Sequence, residues 1–160
     1  MQQAQKIKTF LWYDDQAEEA ANFYVSLFEG SRIVEVTRYS EAGPGEPGSV
    51  MTVVFELAGQ QYVALNGGPQ FTFTEAVSLQ VDCDSQEEVD SLWEKLTADG
   101  GRPGPCGWLK DKYGLSWQIV PRRLFELLAD ADKRRAEAVT RAMLGMGKLD
   151  VAQLEAAAGQ

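Results

Sequence analysis

AVSLQVDCDSQEEVDSLWEKLTADGG, residues Ala76–Gly101, decides the fold, because its pattern occurs once before, in IKTFLWYDDQAEEAANFYVSLFEG, residues Ile7–Gly30. Each stretch opens with an apolar strand, Ala76–Cys83 in one and Ile7–Tyr13 in the other. Each continues into a helix with one apolar stripe: Val89, Leu92, Trp93 and Leu96 in the later copy, Ala20, Phe23, Tyr24, Leu27 and Phe28 in the earlier. Trp93 on that stripe reads as core. Start and stop signals also match. Ser85 with Glu88 is a capping box, and Asp15 with Glu18 fits the same role. Gly100–Gly101 and Gly30 end the helices. Gly30 to Gly100 is about the same offset as Tyr13 to Cys83, so the repeat is one of pattern and not of identity.

Working outward, RIVEVTRYS, VMTVVFEL and QYVALN read as three strands after the first helix, the last two joined as a hairpin through AGQ. EAGPGEPGS between them is a loop. The second copy continues with GWLKD and LSWQIV, joined by a tight turn near Tyr113–Gly114 in which Asp111 bonds to the backbone two residues on. A further strand is expected in the GRPGPC region. From Pro121 the composition changes to Ala, Leu, Arg and Glu, which predicts two or three helices. Val139, Ala142, Met143 and Met146 form one stripe, Asp150 caps the last helix, and Lys133–Arg135 is a solvated face. The expectation is an α+β chain: residues 1–121 in modules of about 6–68 and 75–121, and a helical extension over 122–160.

The 160 residues hold no histidine. That excludes Ser-His-Asp and Cys-His pairs and any His-ligated metal. Acid–base work would fall to Asp, Glu, Lys, Tyr or Cys. A net charge of -9 argues against nucleic acid and against anionic membrane surfaces. No apolar run approaches the roughly 18 residues a membrane span needs, and MQQAQKIKTF has no apolar signal core. The expected location is therefore cytoplasmic, with Cys83 and Cys106 as free thiols. LNGGPQF lacks the glycine spacing of a nucleotide-binding loop.

Two βαβββ units in one chain resemble the vicinal oxygen chelate superfamily of glyoxalase I, bleomycin-resistance proteins and extradiol dioxygenases. FLWYDDQAEEAANFYVSLFEGSRI, GSVMTVVFELAGQQYVALNGGPQF and CGWLKDKYGLSWQIVP resemble its PhnB-like branch, often labelled 3-demethylubiquinone 3-methyltransferase-like. The resemblance implies two mixed sheets paired into a cup, with four metal ligands in the metal-using members. Carried over one at a time, those positions fall at Thr9, Ala64 (or Asn66 in another register), Ala76 and Gln118. None is His, Asp or Glu, so no metal and no cofactor is expected.

Strand alternation then groups the cup-facing residues. Leu11 and Tyr13 go with Thr9. Asn66 goes with Ala64, Ser78 and Gln80 with Ala76, and Ser116 and Val120 with Gln118. Cys106 and Trp108 lie in the loop over the cup. The expected function is metal-free binding of a small organic ligand. The alternative is an enzyme using Tyr13, Cys106 or a carboxylate, or a non-standard oxygen-ligated metal. The resemblance also implies a homodimer.

Overall fold

The computed structural model describes residues 4–160. Residues 1–3, which fall in the opening MQQAQKIKTF and the expected 1–121 domain, lie outside the described residues. The chain forms two compact units, one ending at Thr72 and one running Phe73–Gln160.

The first unit runs β1 (Thr9–Tyr13), α1 (Ala17–Leu27), β2 (Arg32–Arg38), β3 (Val50–Leu57) and β4 (Gln60–Asn66). Its sheet has the order β1-β4-β3-β2. β1 lies parallel to β4, and the other pairs are antiparallel. α1 buries Ala17, Ala20, Ala21 and Tyr24, at i, i+3, i+4 and i+7. Three alanines let the helix lie close against β3 and β4. The buried stripe sits to one side of the expected one: Phe23, Leu27 and Phe28 are only partly buried. The expected Asp15–Glu18 cap also gives way. Gln16 is the N-cap and makes no side-chain cap bond. Asn66, at the end of β4, accepts the Ala17 N–H at 2.8 Å instead. A side chain from another strand thus satisfies a helix terminus that the local sequence leaves open.

The second unit repeats the plan as β5 (Ser78–Cys83), α2 (Gln86–Thr97), β6 (Arg102–Pro103), β7 (Trp108–Lys110) and β8 (Ser116–Pro121). The order β5-β8-β7-β6 is the same permutation, again with its one parallel pair between first and last strands. The strand expected near GRPGPC is β6, two residues long. Ser85 caps α2 by accepting the Glu88 N–H at 3.1 Å, while the Glu88 carboxylate reaches back to the Asp84 N–H at 2.7 Å. α2 buries Val89, Leu92 and Leu96, but Trp93 stays partly exposed and is not core. Gly30 and Gly100 both carry positive φ, 71° and 108°, as left-handed helix stops need.

Three helices follow: α3 (Arg122–Leu128), α4 (Lys133–Leu144) and α5 (Val151–Ala157). They belong to the second unit. Leu124, Leu127, Val139, Leu149, Leu154 and Ala158 form one buried cluster with Val120 of β8, and Ala142, Met143 and Met146 pack against it. Asp132 and Asp150 cap α4 and α5. The tail therefore folds onto its own chain. No helix among the described residues is long and apolar enough to cross a membrane.

Candidate functional site

In the first unit, the residues expected to line a cup are spent on the fold. Leu11 pairs with Ala64, and Tyr13 with Asn66. Leu11, Tyr13 and Ala64 are buried, and Thr9 is exposed at the strand's start. The Tyr13 hydroxyl lies 3.2 Å from the Tyr24 hydroxyl of α1. The Asn66 amide caps α1 and donates to the Val50 carbonyl at 3.1 Å. This face therefore looks at α1. Phe10, 60% exposed, and Trp12 occupy the opposite face. A strand has period two, so an assignment one residue out sends the whole set to the wrong side. Asn66→Ala is expected to cost about 1–2 kcal/mol, the range for a lost helix cap. Urea denaturation checks it.

In the second unit, Ser78, Gln80, Ser116 and Gln118 of the expected set share the face away from α2. Leu109, Trp117, Ile119 and Cys83 are buried on the α2 side of the sheet. On the other side, strand pairing aligns two rows. Arg102, Lys110, Ser116 and Ser78 lie directly opposite one another across β6, β7, β8 and β5. Trp108, Gln118 and Gln80 form the next row. Gln118 donates to the Ser78 hydroxyl at 2.9 Å. Gln80 is exposed and donates to Asp82 at 2.8 Å. Val120 leaves the face for the tail cluster. Ala76 lies outside β5, exposed in the preceding turn, where its N–H meets the Thr74 hydroxyl at 3.3 Å.

A cavity of about 500 Å³ opens over the first row. Pro103, Pro105 and Trp108 give it an apolar body, with Arg102, Lys110, Glu75, Cys106 and Ser116 as its chemistry. Cys106, Trp108 and Ser116 were legible in the sequence. Arg102, Lys110 and Glu75 were missed, because a two-residue strand carries no periodic signal and Lys110 reads as part of a turn. Lys110 forms an ion pair with Glu75, which holds that carboxyl below its usual range. Ser116 is 1% exposed, and its Oγ has no hydrogen-bond partner.

The wall above the row is held by the tail. The Cys106 N–H donates to the Met146 carbonyl, and the Gly107 N–H to the Gly147 carbonyl, both at 2.8 Å. Cys106 sits at φ 56°, unusual for a non-glycine residue, and Gly107 at φ 82°. A Cβ on Gly107 would come within 3.0 Å of the Ile119 carbonyl, so only glycine fits that turn. The two thiols differ sharply. Burial, then Glu88, Asp82 and Asp84, push Cys83 up to about 12. Cys106 is partly exposed on the cavity wall. A maleimide is therefore expected to label Cys106 alone in the native protein and both cysteines after denaturation. Peptide mapping of the labelled protein checks it.

The superfamily's metal does not fit this chain. Of the carried-over positions, Thr9 and Ala76 are exposed outside the cavity, Ala64 has no donor side chain, Asn66 is spent on α1, and Gln118 bonds Ser78. Among the described residues, no three His, Cys, Asp or Glu side chains are grouped as a metal site. The paired glycines Gly67 and Gly68 do not form a nucleotide-binding turn. After β4 the chain runs from Gly67 to Val77 without a helix, so no helix N-terminus stands behind the paired glycines.

The family model described as 3-demethylubiquinone-9 3-methyltransferase matches residues 5–120. The chain belongs to this PhnB-like family. A solved relative is the PhnB protein of Bacillus cereus, itself named for that methyltransferase. It is 43% identical, with 73% of this chain and 99% of that one covered and a TM-score of 0.65. Protein PA1353 of Pseudomonas aeruginosa is 16% identical over 74% of this chain and 98% of its own, at a TM-score of 0.60. The E126Q mutant of the fosfomycin resistance protein FosX from Listeria monocytogenes is 14% identical over 74% and 92%, at 0.50. The last two show a shared fold only. No curated protein matches the chain. The PhnB-like family thus accounts for both βαβββ units, while α3, α4 and α5 lie beyond the residues its model matches.

Proposed function

We propose that this PhnB-like chain binds a small organic molecule in the second unit's cavity, without a metal at the superfamily's ligand positions. The observation that carries the reading is the cavity itself. Its volume of about 500 Å³ is in the range of small-molecule sites. So is its character: Pro103, Pro105 and the Trp108 indole line it, and a few polar groups converge on one row.

Native mass spectrometry of the protein purified without chelator or added metal tests the proposal. An organic adduct with no metal supports it, provided that Trp108→Ala loses the adduct and keeps the fold by circular dichroism. A stoichiometric metal overturns the metal-free part. An adduct that survives Trp108→Ala overturns the location.

The proposal includes a cytoplasmic homodimer. Phe10 and Phe71, 60% and 64% exposed, are apolar surface of the kind a second copy covers. A single monomer mass in sedimentation equilibrium at micromolar concentration would end that part.

A further inference from the structure

We infer that the ligand is a carboxylate on an apolar body, its acid group lying on the Arg102–Lys110–Ser116 row. This rests on the proposed binding site and names the chemical class it takes.

The first observation is the Ser116 hydroxyl. It is a buried side-chain oxygen on the cavity wall without a hydrogen-bond partner. Leaving such a group unpaired is costly, so a polar partner is called for in the cavity beside it. A hydroxyl in that place can donate to an anion.

The second observation is charge. Strand pairing sets Arg102 and Ser116 on either side of Lys110. Adjacent strands lie about 4.8 Å apart, so the three groups span roughly two strand spacings. Glu75 neutralises Lys110. Among the described residues, no carboxylate lies within ion-pair distance of Arg102, so the cavity keeps one uncompensated positive charge. It does so in a chain whose net charge is -9. A guanidinium presents a planar fork of N–H donors that matches the paired oxygens of a carboxylate.

The third observation is what surrounds the row. Trp108 stands diagonally adjacent, and Pro103 and Pro105 complete that side. These surfaces suit a ring or short alkyl body and offer it no hydrogen bonds. Charge at one end and apolar wall at the other define an amphipathic organic acid.

The test uses matched acids and amides that share a body and differ in charge: benzoate and benzamide, 2-naphthoate and 2-naphthamide, hexanoate and hexanamide. Each is titrated into the full-length ¹⁵N-labelled protein near neutral pH, up to millimolar concentration. Shifts in the Trp108 indole N–H and the Ser116 amide report the site. At least one acid is expected to bind about tenfold or more tightly than its amide, the ratio one charge-assisted hydrogen bond supplies. Arg102→Gln, an exposed change, should bring that acid to the affinity of its amide. Ser116→Ala should weaken the acid several-fold and leave the amide unchanged. Equal binding of acids and amides overturns the carboxylate assignment and leaves the small-molecule site standing. No binding by any of the six overturns both. An acid preference that survives Arg102→Gln also overturns the assignment, because the charge then acts from elsewhere.

Discussion

Asp111→Ala is expected to destabilise the protein by about 3–4 kcal/mol, the sum of a lost charged acceptor and two buried donors left unpaired. Asp111 is 2% exposed. Its Oδ1 accepts the Tyr113 and Leu115 N–H groups at 2.9 and 3.1 Å, and its Oδ2 accepts the Trp117 indole N–H at 2.9 Å. The Asp111 N–H and carbonyl close the same turn onto Leu115 and Gly114, both at 2.9 Å. One carboxylate therefore ties the β7–β8 turn to the core indole beneath it. Asp111→Asn keeps an oxygen for the two backbone donors but turns an NH₂ toward the Trp117 N–H. Its expected cost is smaller, about 2 kcal/mol. Urea denaturation followed by fluorescence measures both. A loss below about 1 kcal/mol for the alanine variant would show that water replaces the carboxylate, and that the turn does not depend on it.

Leu149→Ala is expected to cost about 2–4 kcal/mol, the range for emptying a fully buried leucine site. Leu149 is 0% exposed and packs in the tail cluster. Its carbonyl accepts from Gln86 at 3.0 Å, and the Gln86 oxygen in turn accepts the Val151 N–H at 2.7 Å, so α2 and α5 meet at this residue. The consequence for function is local. The segment Met146–Leu149 holds the backbone of Cys106 and Gly107, which form the cavity wall. Maleimide labelling of Cys106 should accelerate in the variant under conditions where the fold is still intact. Unchanged labelling with the full loss of stability would show that the tail supports the fold but not the cavity. The neighbouring Asp90–Lys148 pair adds a pH dependence. Hydrogen bonds from Lys148 and Gln86 hold the Asp90 carboxyl below its usual range. A depressed carboxylate stabilises the folded state above its ordinary pKa, and the contribution disappears as pH falls through the folded-state value. Acid should loosen the tail.

Strand–helix order, the duplication and the caps at Ser85 and Asp150 were legible because each depends on neighbours a few residues apart. The role of Asp111 was half legible. Its turn follows from residues two and four positions on, but its bond to Trp117 needs β8 folded back over the turn.

The site divides the same way. Residue types alone determined that no histidine chemistry operates here and that the carried-over metal positions offer weak donors or none. Periodicity determined that Ser78, Gln80, Ser116 and Gln118 share a face, and the register agrees. Only the tertiary structure decided which side of the first sheet meets α1. That put Leu11, Tyr13, Ala64 and Asn66 against the helix, because period-two alternation sorts residues into two sets without saying which is buried. Only the tertiary structure brought Arg102, Lys110 and Ser116 into one row, since cross-strand pairing joins residues whose separation in the chain carries no local signal. It also decided that the tail packs against Val120 and holds the Cys106 loop, a contact made by burying apolar area that the composition of the tail announces but does not aim.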